Sequence, residues 1–243
     1  MFLLVKFRIT PVGIKEHKGE GTMKRTLALC VTVFILTVIS STALALDENK
    51  FGIGGRLGYG SWSDQSFVDN NSTAVNVNFD SSFMFGVNGT YLVNKYFSLE
   101  LELDRITNLS PTLTPQGGTV FPTGDLAVTP LLFTGRVHYP VGWGLSPYIG
   151  AGVGYYWFTY DMNNAAFAPG DNINWDNNFG FHFDAGVELG YPMGNNILAL
   201  VFDFKYIWTE TDLGLAGPTF GNPGSYGIDV KGFVAGIGLK YYF

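Results

Sequence analysis

Glu100, Glu102 and Asp104 stand at alternate positions between Leu99, Leu101 and Leu103. A pair of carboxylates is the equipment of glycoside hydrolysis, one acting as acid and the other as base or nucleophile. Two-residue spacing, however, puts these acids on one face of a strand, and no sugar-binding cleft accompanies them. The same parity places Arg56, Arg136, His138, His182, Asp184, Glu188, Asp203, Lys205 and Lys240 on the corresponding face of their own segments. Neither His138 nor His182 sits beside a credible nucleophile, and no third ligand stands at a spacing suited to zinc. These residues therefore predict neither an enzyme nor a metal or cofactor site. Opposite charges facing one interior should pair, because an unpaired buried charge is costly. Arg56 or Arg136 is expected to neutralise Glu100 and Glu102.

Two other patterns suggest chemistry and fail on context. Gly52-x-Gly54 and Gly150-x-Gly152-x-Gly154 resemble nucleotide loops, but they lie inside alternating strands and not between a strand and a helix. Their expected role is to leave room in a crowded interior. Asp161, Asp171 and Asp176, with several Asn, offer oxygen ligands for Ca²⁺, although a solvated acidic loop is the simpler reading.

The elements that position these side chains are strands. In Phe97 to Ile106, Phe97, Leu99, Leu101 and Leu103 alternate with the polar set. Near the chain end, Phe233, Ala235, Ile237, Leu239, Tyr241 and Phe243 share one side. That last strand begins near Gly227, and comparable alternation runs through Phe51 to Ser63, Ser82 to Leu92, Leu126 to Tyr139, Pro147 to Tyr160, Phe179 to Tyr191 and Ile197 to Thr209, making eight strands. Each meets the ~9–11 residues that a tilted strand needs to cross a bilayer. Connections alternate in length. Tight turns fall at 93–96, 140–146 and 192–196, and longer ones at 64–81, 107–125, 161–178 and 210–226. Short turns belong on the periplasmic side and long loops outside. The predicted fold class is all-β: an eight-stranded antiparallel up-and-down transmembrane β-barrel over 46–243. In a lipocalin-like soluble barrel the large aromatics would point inward instead.

Composition agrees. Only 14% of residues are charged, 16% are aromatic and 32 are Gly. No segment after residue 45 approaches the ~18 apolar residues of a spanning helix, so a membrane protein of this sequence must close its backbone hydrogen bonds in a barrel. Met23-Lys24-Arg25, the apolar stretch Thr26 to Ile39 and Ala43-Leu44-Ala45 follow the plan of a secretory signal peptide over 23–45. Residues 1–22 fit no part of that plan and read as a spurious extension. The sole cysteine, Cys30, lies within the signal, so the remainder has no thiol chemistry. From residue 46 onward, eight Lys/Arg face eighteen Asp/Glu, a balance that argues against nucleic acid. These features place the chain in the bacterial outer membrane, among its lipid and lipopolysaccharide.

Pro147-Tyr148-Ile149-Gly150-Ala151-Gly152-Val153-Gly154-Tyr155-Tyr156-Trp157-Phe158 resembles the fifth strand of small eight-stranded barrels of the OmpW type. Asn178 to Val187 resembles the sixth strand of that family, Asp203-Phe204-Lys205-Tyr206 its seventh, and Gly236 to Phe243 its closing strand. The resemblance implies a narrow, largely hydrophobic channel for small apolar solutes, with exit sideways into the membrane. It also implies assembly by the barrel-assembly machinery, which reads the terminal aromatics Tyr241 and Phe243. The charged set above would line the lumen, and Trp62, Phe121, Phe158, Trp175 and Phe220, near the outer rim, would form a ligand mouth, although rim aromatics are equally expected of a lipid girdle. Two other readings stay open: a scaffold whose outer loops bind or adhere, and a purely structural envelope protein.

Overall fold

The computed structural model describes residues 50–69, 73–116, 118, 120–162 and 167–243. The expected extension 1–22 and signal segment 23–45 lie outside these residues. Among the described residues there are thirteen strands: β1 (Lys50–Trp62), β2 (Gln65–Val68), β3 (Ala74–Asn78), β4 (Ser82–Asn94), β5 (Phe97–Thr107), β6 (Thr112–Pro115), β7 (Phe121–Pro122), β8 (Gly124–His138), β9 (Leu145–Met162), β10 (Asn172–Trp175), β11 (Asn178–Met193), β12 (Asn196–Gly217) and β13 (Gly221–Tyr242). Eight of them, β1-β4-β5-β8-β9-β11-β12-β13, pair antiparallel in that order, and β13 returns to β1 to close a barrel. The closing seam runs from Gly52 opposite Tyr242 to Trp62 opposite Gly232. The Phe243 N–H donates to the Phe51 carbonyl at 2.9 Å.

Burial inverts the pattern of a water-soluble protein. Ile53, Leu57, Phe85, Leu101, Phe133, Phe183 and Leu239 are exposed on the outer wall, whereas Arg56, Glu102, Arg136 and Lys205 are buried inside. An apolar sheath of this extent is stable only against lipid. The charged residues of the alternating segments are buried on the inner side of the wall. Crowding explains the inner glycines: a Cβ on Gly52 would lie 2.6 Å from the Tyr242 ring, and one on Gly150 would meet Asp184 and lie 2.8 Å from the Arg136 side chain.

The outer connections correct the expected loops. Residues 210–226 are not a long loop, because β12 and β13 each extend to 22 residues and leave only a tight turn at 218–220. Alternation continues there: Leu213, Leu215, Ile228 and Val230 are buried. What changes is the outward set, which becomes polar at Glu210 and Asp212 once the wall faces water. The segments 64–81 and 107–125 contribute β2, β3, β6 and β7 to a separate four-stranded sheet, and β10 from the third connection pairs with the extension of β12. Together they form a folded outer lobe. Within it Asp171 accepts from the Ala168 N–H at 2.7 Å and the Thr219 N–H at 2.9 Å, joining two connections.

Candidate functional site: a charged belt beneath an apolar lobe

Along β5, β8 and β12 the inward residues switch type at a similar point. On β5, Glu100, Glu102 and Asp104 give way to Ile106. On β8, Arg136 and Thr134 give way to Leu132, Val128 and Leu126, and on β12 Lys205 gives way to Ile207. The polar part forms one ion-paired belt. Arg56 contacts Glu102 at 2.8 Å, Asp104 at 3.0 Å and Asp203 at 2.8 Å. Lys205 reaches the same Glu102 at 2.6 Å. Arg136 contacts Glu100 at 2.6 Å and Asp184 at 2.5 Å, and its guanidinium lies 4.6 Å from the centre of the Tyr148 ring. Lys240 bridges Glu100 at 2.5 Å and Glu188 at 2.8 Å.

The histidines sit at the margins of this belt. His138 exchanges hydrogen bonds with Ser98 at 2.8 Å and Ser146 at 3.3 Å, and His182 with Thr134 at 2.8 Å. The twelve residues expected on the inner face are therefore all inside, at no more than 5% exposure. Tyr242 was not among them, yet its hydroxyl donates to Glu188 at 2.9 Å; its shared parity with Lys240 was the available signal. The carboxylates of Glu100 and Glu102 are held by cations, as structural partners would be. The gap left among Arg56, Asn88, Glu100, Arg136, Asp203 and Lys240 is about 10 Å³, no more than one water molecule requires. Below the belt, Leu92, Ile197, Ala199 and Tyr242 form a small apolar floor.

Above the belt lies an apolar cluster continuous with the outer lobe. Trp62, Met84, Leu126, Leu132, Tyr156 and Ile207 fill the upper barrel, and Val77, Phe79, Leu109, Leu113 and Trp175 extend it outward. The expected mouth residues distribute unevenly. Trp62 and Trp175 are packed inside this cluster and do not rim an open entrance, with the Trp62 indole N–H donating to Ser82 at 2.7 Å. Phe158 stacks toward Trp175 at 6.4 Å between ring centres. Phe220 lines a cavity of about 180 Å³ with Phe67, Val75, Leu113, Phe167 and Tyr226. The Phe121 side chain lies outside the described residues. Tyr241 and Phe243 stand at the end of β13 on the outer wall, Tyr241 accepting from Asn196 at 2.6 Å.

The wall is irregular at the β4–β5 ladder near Leu92 and Asn94, at the distal end of β12–β13, and between β5 and β8. The β5–β8 ladder pairs Leu103 with Leu131 and next pairs Ile106 with Val128, skipping the residues between. Pro130 lies in the skipped stretch and has no N–H to donate. Arg105 crosses the break on the outer surface and donates to the Thr129 hydroxyl at 2.7 Å.

A closed eight-stranded barrel, apolar outside and ion-paired within, defines a transmembrane β-barrel of the bacterial outer membrane. The chain belongs to the family described as outer membrane protein beta-barrel domain, whose family model matches residues 30–243. Its fold is similar to that of the outer membrane protein OprG from Pseudomonas aeruginosa, an OmpW-like barrel, with a TM-score of 0.67 at 20% identity over 81% of this chain and 97% of that one. Neisserial surface protein A aligns with a TM-score of 0.50 at 13% identity, over 78% of this chain and 95% of that one. The outer membrane protein AlkL aligns at 0.49 and 19% identity, over 84% and 94%. No curated protein matches the chain in sequence.

Proposed function

We propose that this barrel carries small hydrophobic molecules from the exterior into the membrane, entering at the outer lobe and leaving through the wall between β5 and β8. The observation that carries this reading is the skipped pairing between Leu103–Leu131 and Ile106–Val128. It begins at Asp104, the upper edge of the belt on β5, and reaches the level where Ile106, Val128, Leu132 and Tyr156 make the interior apolar. A solute that reached this level would meet the charged belt below, where shedding the ion pairs is prohibitive, so the wall is the easier exit. The cavity of about 180 Å³ in the lobe suits only a small solute, being below the usual ~300–1,000 Å³ of ligand sites. The lumenal acids, each engaged by cations, serve here as a barrier and not as catalysts.

Permeation into vesicles containing the refolded protein tests the route, with an apolar dye and a charged dye of equal size. The apolar dye should partition faster than into empty vesicles, and Pro130→Ala, which restores a ladder donor, should slow it severalfold. Equal rates in both proteins would rule out exit at this seam. A second reading draws on the ordered β2-β3-β6-β7 sheet, which could present a recognition surface. Under that reading, exchanging the outer connections with those of another small barrel would carry the binding with them, and Pro130→Ala would leave it unchanged.

A further inference from the structure

Two cations stand on the outward face near the outer end of the barrel, and their surroundings differ. Lys231 is neutralised by Asp229 at 2.9 Å. Arg105 has the Thr129 hydroxyl at 2.7 Å and, among the described residues, no carboxylate partner. Thr129 faces Trp157 across the β8–β9 ladder, and a partly exposed tryptophan on the wall marks the level of the lipid headgroups. A charge left unpaired at that depth is costly unless something outside the protein answers it.

The wall beside Arg105 is also hollowed. A trough of about 810 Å³ runs from Arg105 past Leu103, Val87 and Phe85 to Gly55 and Leu57. Gly55 points outward, and a Cβ there would meet nothing closer than the Gly86 carbonyl at 3.6 Å. Unlike the inner glycines, it is not enforced by crowding within the barrel. Its effect is to leave the floor of the trough open between Leu57 and Leu239.

We propose that Arg105, Thr129 and this trough form a binding site for a phosphorylated acyl lipid of the outer leaflet, with phosphate on the guanidinium and an acyl chain in the trough. A guanidinium offers several donors in a fork suited to phosphate oxygens, and only one is used by Thr129. The site is independent of whether solutes pass through the neighbouring seam.

Native mass spectrometry of the refolded protein in detergent tests it, using a bis-phosphorylated acylated glucosamine disaccharide and its dephosphorylated counterpart. The wild-type protein should retain the phosphorylated lipid about tenfold more tightly, and Arg105→Gln should erase that preference while Lys231→Gln leaves it intact. Gly55→Leu should weaken both lipids severalfold, with heat-modifiable migration on gels confirming a folded barrel. An undiminished preference in Arg105→Gln, or equal loss in Lys231→Gln, would overturn the proposal. Full displacement by inorganic phosphate at comparable concentration would also overturn it, since that identifies a free-anion site with no role for the acyl chain.

Discussion

The belt and the outer lobe are both tightly packed, but different forces hold them. In the belt, each buried charge is fixed by charges from distant strands: Lys205 and Glu102 are 103 residues apart, and Lys240 and Glu100 are 140 apart. Burial of ions costs several kcal/mol per group, which close pairing largely offsets. The belt thus contributes less to net stability than to uniqueness, since a strand slipped by one residue would turn its charges into lipid. The lobe is held by apolar area and by short hairpins, and each part can loosen without exposing a charge to lipid. The contrast teaches that a filled lumen fixes the register of the wall, while the lobe above it is free to vary its shape.

Breaking the belt should have the largest effect. Arg56→Ala leaves Glu102, Asp104 and Asp203 without their shared cation, and a loss of about 3–5 kcal/mol or more is expected, read as a lower urea midpoint for refolding into vesicles. Trp175→Ala should cost about 3–5 kcal/mol locally, and the contrast predicts where: amides of β10 and the distal part of β12 should exchange faster, with the barrel midpoint unchanged. An equal fall in the barrel midpoint would erase the distinction between the two regions. Tyr242→Phe removes one donor from Glu188 but leaves Lys240 in place, so a smaller loss of about 1.5–3 kcal/mol is expected for a hydrogen bond to a charged group.

The mildest test is acid. Partial desolvation would raise the Asp171 carboxyl, but the backbone and hydroxyl groups of Thr219 and the Ala168 N–H outweigh it and hold the carboxyl below its ordinary value. A depressed folded-state value means that its contribution is complete above the unfolded value of roughly 3.9 and fades as pH falls through the lower folded one. Exchange at the Thr219 amide should quicken below that range while belt amides stay protected.

Much of this contrast was legible in residue parity. One face of Phe97 to Ile106 announces both an inward acid ladder and an outward apolar stripe, and the same rule placed every lumenal charge. Partners were less legible. Whether Arg136 meets Glu100 or Glu102 depends on strand stagger around the barrel, which no local pattern encodes. The outer lobe was obscured for a different reason. After Trp208, the outward residues Glu210 and Asp212 look like the start of a loop, although the inward Thr211, Leu213 and Leu215 keep the period. The change of outward residue marks where β12 leaves lipid, not where it ends. Strands as short as Thr112–Pro115, with a proline at the end, carry too few residues to reveal a period.

The seam between β1 and β13 sets an order of events. Until β13 is in place, the preceding strands can form only an open sheet with two raw edges, each presenting rows of unpaired amides and carbonyls. Neither edge is tolerable in hydrocarbon, and joining them requires Gly52 to find Tyr242 across almost the entire described chain. Partial insertion is therefore not a resting state. The wall must be delivered to the membrane with its edges sheltered and sealed late, which makes the final pairing a checkpoint on the integrity of everything between.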